Sequence, residues 1–388
     1  MKKKYIIFLI ITLVLLVVLI TSFNYFKTTN TYIDDSVNNQ TKITKGISMN
    51  LEQTAGAGDY KTVTRSSWPT EGYKFNTELS RCENGGEINW DDINKKVIVT
   101  GNVSDKCYVY FDIWIPSIAA YCTSGTDLAT CVKNFGDQGP SVSNIYIHNS
   151  ALTNGAGDNS YRYAGANPNN YVCFGSEATT CPDANLFRII GVFGDQAKVI
   201  RAKSVGDQPW HTSQVNNWSS SSLNTYLNGE YLTSLGTLAE KIATTTWKVG
   251  GGDEANISFS VPATAYQYEV GSSASTTTVD KKIGLMYVSD YYYGASPSAW
   301  TLVGYNKSDA TKDYRAATST NWLYLGSTEW TISRNSGYTY LAFLVNSAGR
   351  VIHDYVTISF AVRPSFNLLS STTYVSGSGS MSDPVRIN

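Results

Sequence analysis

From Ile47 the chain alternates apolar and polar residues at a spacing of two, through ISMNLEQ, DYKTVTR, YKFNTELSRC, EINWDDINKKVIVTG and KCYVYFDIW. Successive strand side chains point to opposite faces, so each run predicts a half-buried β-strand. Breaks such as AGAGD and ENGG supply the turns. The alternation stops at Ile115, and Pro116 follows it. Residues 46–115 are therefore expected to form a small all-β, sandwich-like domain.

The period then changes. In CTSGTDLATCVKNFGD, Leu128, Cys131 and Val132 fall on one side of a short helix for which Thr126 is a candidate cap. Residues 136–165 are rich in Gly, Asn and Ser and carry little period, so 116–160 reads as a linker. A larger domain is expected over 161–388. It opens with the hairpin NLFRIIGVFGDQAKVIRAKSV, turning at Gly194-Asp195-Gln196. SSSSLNTYLNGEYLTSL has Leu223, Tyr226, Leu227, Tyr231 and Leu235 at helical spacing. KIGLMYVSDYYYGAS reads as a buried strand entering a turn, with Ser289 a candidate cap, and EWTISRN, YLAFLVN, GRVIHDYV and FAVRPSFNL read as strands. Asn346 to Gly349 joins the middle pair.

One segment has no alternation at all. Tyr5 to Phe26 is 22 residues without a charge, preceded by MKKK. As a helix rising about 1.5 Å per residue it reaches roughly 33 Å, enough for a hydrocarbon core of ~30 Å. A cleaved signal peptide has a shorter apolar region of about 7–15 residues. Residues 1–26 are thus expected to be a transmembrane signal anchor contacting the membrane through 5–26. The basic flank places the N-terminus in the cytoplasm and the rest outside. Residues 27–45 are polar and aperiodic, a stalk.

All six cysteines follow the anchor: Cys82, Cys107, Cys122, Cys131, Cys173 and Cys181. An oxidising exterior favours disulfides, and the grouping suggests Cys82 with Cys107, Cys122 with Cys131 and Cys173 with Cys181. A zinc site lacks any CxxC spacing and has three histidines in the whole chain to draw on. Net charge is −1 and no basic face is apparent, which argues against nucleic acid as a partner. The 27 tyrosines and 9 tryptophans in a background of small polar residues suit an extracellular β-protein.

The order Trp330, Ser333, Arg334, then a hairpin around NSAG, then Val362, Arg363 and Pro364 resembles a bacterial surface-domain family of uncharacterised function. It is also similar to the C-type-lectin-like fold and its formylglycine-generating branch. YVCFGSEATTCPDANLFRIIGVF, SRCENGG with SDKCYVYF, and the closing Gly377, Gly379, Asp383 and Pro384 add to the likeness, which spans roughly 50–115 and 160–388. The resemblance implies an α+β domain with an antiparallel sheet. Formylglycine chemistry depends on cysteines in the C-terminal part of that fold, and none follows Cys181.

Other catalytic patterns are weak. There is no GxSxG and no HExxH. His353 and Asp354 are strand neighbours that point apart. Asp253, Glu254, Asp290 and Glu329 offer glycosidase carboxylates only if two of them converge in space. Asn167-Pro168-Asn169 is a faint echo of a calcium-dependent sugar site that lacks its partner motif. No catalytic residue, metal or cofactor is expected.

Rigid aromatic faces with polar tips suit sugars and proteins. Tyr291, Tyr292, Tyr293, Trp300 and Tyr324 are the candidate ligand-binding platform, with Trp330, Arg334, Arg363 and Pro364 structural. Proline cannot donate to a ladder, so the strand around Arg363 should be an edge or bulged, and the guanidinium should satisfy carbonyls there. The expected function is non-catalytic recognition of an extracellular glycan or protein. The alternatives are an envelope carbohydrate hydrolase and a purely structural envelope subunit.

Overall fold

The structure is a computed structural model, and it describes residues 46–54, 57–63, 72–91, 96–100, 105–114 and 116–388. The expected anchor and stalk lie outside these residues. Among the described residues no helix is long and apolar enough to cross a membrane. They fall into two compact units divided at Pro116.

In the first unit, strand Ile47–Glu52 pairs parallel with Cys107–Ile113 and antiparallel with Tyr60–Val63. Tyr73–Phe75 and Arg81–Cys82 add to the other edge of Cys107–Ile113. Met49, Leu51, Val109 and Phe111 face inward, where Trp90 and Val97 of the hairpin Glu87–Asp91/Lys96–Thr100 meet them. Cys82 and Cys107 are directly opposite across the ladder and are disulfide-bonded.

The second unit carries two further large sheets. The larger has nine strands, with Gln196–Arg201 and Leu186–Phe193 near its centre, joined by a two-residue turn at Gly194, φ +63°. The other has five strands in the order Asp207–Pro209, Ser359–Ala361, Glu329–Arg334, Leu341–Val345, Val351–Tyr355. The expected disulfides Cys122–Cys131 and Cys173–Cys181 are formed. Helix Leu128–Gly136 buries Leu128, Cys131, Val132 and Phe135, and it begins after Asp127 rather than Thr126. The stretch 222–234 is helical but widens into a π turn at Leu227–Tyr231.

The expected fold class does not hold. The described residues are a mixed assembly of several sheets with few helices, and among them each of the three large sheets contains one parallel pair: Ile47–Glu52 with Cys107–Ile113, Tyr171–Cys173 with Val385–Ile387, and Glu329 with Ala361. A C-type-lectin-like domain built on one antiparallel sheet is not what residues 161–388 form. Alternation reveals which face of a strand is buried. It carries no information on the direction of a partner distant in sequence.

FAVRPSFNL is two strands rather than one. Ser359–Ala361 belongs to the five-stranded sheet, and Ser365–Asn367 pairs with Gln196–Arg201 and Ile283–Gly284 in the nine-stranded sheet. Val362, Arg363 and Pro364 cross between the sheets, and all three are buried. Arg363 Nε donates to Glu329 Oε1 at 2.6 Å, and Nη2 donates to Glu329 Oε2 at 2.8 Å and to the Leu323 carbonyl at 2.7 Å. Glu329 is the residue paired with Ala361, so the bidentate bond ties the crossing to the sheet it has just left. Burial raises the Glu329 carboxyl above its ordinary value against the pull of Arg363. Pro364 keeps an acceptor role, taking the Arg201 N–H at 3.0 Å. Arg334 is half-buried and donates to the Gly250 carbonyl at 2.8 Å, and buried Trp330 donates to Gln208 O at 3.1 Å.

Removing one partner of a buried pair strands the other charge. Arg363→Ala should cost about 3–5 kcal/mol in chemical denaturation, and Arg363→Met combined with Glu329→Leu should cost much less. An alanine variant within about 1 kcal/mol of wild type would show that the pair does not hold the crossing.

Candidate functional site

The expected aromatic platform is interior. KIGLMYVSDYYYGAS forms a two-residue strand, Ile283–Gly284, and then helix Val288–Tyr293. Tyr291, Tyr292, Tyr293 and Trp300 are each at most 1 % exposed. Three successive residues on a helix splay over more than half its circumference, so they bury together only if the helix is enclosed. Each hydroxyl finds a backbone carbonyl: Tyr291 donates to Gly349, Tyr292 to Ile257 and Tyr293 to Asn154. The Trp300 indole donates to Ala295 O, and half-buried Tyr324 donates to Ser347 O. Tyr291, Tyr292, Tyr293 and Trp300 are core packing and cannot present a surface, and Tyr324 alone of the five is partly exposed. Exposed tyrosines occur instead on the edge of the five-stranded sheet, where Tyr338 and Tyr355 flank Tyr340.

The same helix does position a site through its first turn. Its leading N–H groups need acceptors. Glu269, the last residue of helix Pro262–Glu269, accepts from Val288 N at 3.0 Å and Ser289 N at 2.7 Å, and also from the Ser333 hydroxyl. Asp290 Oδ2 accepts from Tyr287 N at 2.9 Å. Asp290 also takes the Lys198 ammonium at 2.5 Å, and its other oxygen is 3.6 Å from Arg162 Nη1. Arg162 in turn holds Asp158 at 2.6 Å. A chain of alternating charge, Asp158, Arg162, Asp290, Lys198, thus forms the floor of a pocket of about 230 Å³.

Each member arrives on a different element. Arg162 is on strand Tyr161–Tyr163, Lys198 on Gln196–Arg201 and Asn367 on Ser365–Asn367. Strand Thr245–Lys248, paired with Thr278–Lys281, brings Trp247. Trp247 packs on Gly284, where an added Cβ would lie 2.9 Å from the indole, so that position needs glycine. The Lys198 ammonium sits 4.8 Å from the Tyr287 ring centre and 5.4 Å from that of Trp247. Phe193, Tyr266 and Tyr293 surround the Arg162 guanidinium at 4.6–5.3 Å. Aromatic faces attract cations, and here they line both of them.

The electrostatics follow from burial. Desolvation lowers the Lys198 ammonium, with Asp290 opposing. It also works against the charges of Asp158 and Arg162, but their mutual attraction, together with Ser160 hydrogen bonds to Asp158 and the Asp290 charge beside Arg162, outweighs it: Asp158 falls to about 2 and Arg162 is held above its ordinary value. Two residues that line this pocket each carry a buried polar atom without a hydrogen-bond partner, Arg162 Nη1 and Asn367 Oδ1. Behind it, buried His148 accepts the Ala156 N–H at 3.0 Å through Nδ1 and packs against Tyr293 and Trp300. Burial, with repulsion from Arg162, lowers His148 to about 2 against the pull of Asp158.

Of the carboxylates noted in the sequence, Asp290 reaches the pocket, Glu329 is held by Arg363, and Glu254 pairs with His353 at 2.9 Å. Arg162, Lys198, Trp247, Tyr266 and Tyr287 went unnoticed. Lys198 carries the signal that drew attention to Arg363, a single cation inside the apolar run AKVI. Among the described residues, Cys82, Asp105 and Cys107 lie close enough for a metal, but both thiols are spent in the disulfide.

Residues 194–370 match a family described as a domain of unknown function, DUF6273. The match takes in Lys198, Trp247, Tyr287, Asp290 and Asn367, and leaves out Asp158 and Arg162. No curated protein and no solved structure matches the chain, so the likeness to C-type-lectin-like proteins stands on its motifs alone.

A histidine with a folded pKa near 2 and an unfolded value of 6.5 stays neutral in the fold and takes a proton on unfolding. Its contribution is complete above pH 6.5 and is lost as pH falls. The wild-type unfolding free energy should therefore drop more steeply below pH 6.5 than that of His148→Gln, by about 1.4 kcal/mol per pH unit. Parallel pH profiles would show that His148 is protonated inside the fold.

Proposed function

We propose that the protein recognises an external ligand, glycan or protein, and holds one small polar group of it in the pocket beside Trp247 without transforming it. The observation that carries this reading is the pocket floor, where two ion pairs are buried under aromatic rings. Buried ion pairs are costly and are rarely the most stabilising choice for a core. Retaining them at the base of an open pocket makes sense if they also serve a ligand.

A glycosidase needs one carboxyl held protonated as an acid and a second as nucleophile or base. Asp158 is drawn down to about 2, and Asp290 is bonded to Lys198. Burial raises Glu269, but its oxygens are occupied by Val288 N, Ser289 N and Ser333. This division of roles favours binding over hydrolysis. Three disulfides support a location outside the cytoplasm, and the uncharged stretch from Tyr5 to Phe26 supports a membrane tether.

The test is glycan-array and pull-down binding by the full chain in detergent, beside Trp247→Ala and Tyr266→Ala. Captured ligand should bind the variants at least about tenfold more weakly, with Tyr266→Ala melting close to wild type. Undiminished binding by both variants, or polymer turnover abolished by Asp158→Asn or Asp290→Asn, would overturn the reading.

A further inference from the structure

We propose that the group seated in this pocket is a neutral, hydroxyl-rich ring, a single pyranose of a glycan; this rests on the recognition reading above. The first argument is charge balance. Arg162, Lys198 and Lys248 line the pocket with Asp158 and Asp290; Lys248 is turned onto the Val270 and Gly271 carbonyls, so at the floor two cations meet two carboxylates. A carboxylate or phosphate entering here meets Asp158 and Asp290 as well as the cations. An ammonium meets Lys198 and Arg162. Neither gains net attraction, and both lose hydration.

The second argument is the pattern of unmet hydrogen bonds. Arg162 Nη1 is a buried donor that makes no hydrogen bond, its ion-pair partner Asp290 lying 3.6 Å away, and Asn367 Oδ1 is a buried acceptor without a donor. The Asn367 amide nitrogen donates to Thr245 Oγ1 at 3.1 Å, which leaves the oxygen as the unpartnered atom. Lys198 donates one of its three N–H groups to Asp290. Every hydroxyl both donates and accepts, so neighbouring hydroxyls on a ring satisfy a cation and a carboxylate of one ion pair together. An amide separates its donors and acceptors onto two atoms, whereas each ring hydroxyl carries both on one oxygen. The third argument is shape: Phe193, Trp247, Tyr266 and Tyr287 wall a small pocket, and aromatic faces suit the C–H face of a sugar ring.

Saturation-transfer NMR and tryptophan fluorescence on the full chain test this with methyl glycosides of glucose, mannose, galactose and N-acetylglucosamine, beside glucuronate and glucosamine. At least one neutral glycoside should bind with a Kd at or below about 1 mM, and the charged sugars at least about tenfold more weakly. Asn367→Leu, nearly isosteric, should lose most of that binding with an unchanged melting temperature. Trp247→Ala should lose it too, and the Asn367 variant keeps the test valid if Trp247→Ala fails to fold. Tighter binding of a charged sugar, or binding indifferent to Asn367→Leu, overturns the proposal. If no glycoside saturates while a protein ligand is captured in a Tyr266-dependent way, this proposal falls and the recognition reading stands.

Discussion

The fold turns on the buried bond between Arg363 and Glu329. The chain leaves one sheet at Ala361 and joins another at Ser365, and the intervening peptide groups of Val362 to Pro364 have no ladder of their own. A guanidinium is rigid and forked, so it fixes this crossing in position and orientation in a way a hydrocarbon side chain could not. Val362 closes the backbone side of the crossing by donating to Gly206 O and Ser204 Oγ.

The pocket is a consequence of the crossing. Ser365–Asn367 lies between Gln196–Arg201 and Ile283–Gly284, so its placement sets how Lys198 and Asn367 stand relative to the turn into Tyr287 and Asp290. From there the charges organise one another. Asp290 ties the first turn of its helix to Lys198, and Glu269 ties the same turn to the neighbouring helix. A low-dielectric surround strengthens each of these bonds and makes every unmet partner costly. That is the property a binding site exploits, because a ligand supplying the missing partners relieves a cost already present in the free protein.

Much of the local structure was legible in the alternation of residues. The hairpin at Gly194-Asp195, the turn from Asn346 to Gly349 and the three local disulfides follow from short-range chemistry. What escaped depended on partners far apart in the chain. Pairing of Glu329 with Ala361 and of Val172 with Val385 leaves no mark in either segment alone. DYYYG read as a display of tyrosines because nothing local reveals that a short helix is enclosed on every side by Gly349, Ile257 and Asn154. The site was hidden similarly, since Asp158, Lys198, Trp247 and Asp290 come from separate elements. A lone cation within an apolar run, as at Lys198 and Arg363, was the one usable signal.

The most direct test of the central claim, that a buried alternation of charge under aromatic walls is the place of recognition, is a crystal structure of the chain soaked with a glycoside. Density should lie in the pocket beside Trp247 with ring hydroxyls on Asp290 and Lys198. Density over Tyr338, Tyr340 and Tyr355, with the pocket beside Trp247 holding none, would contradict it.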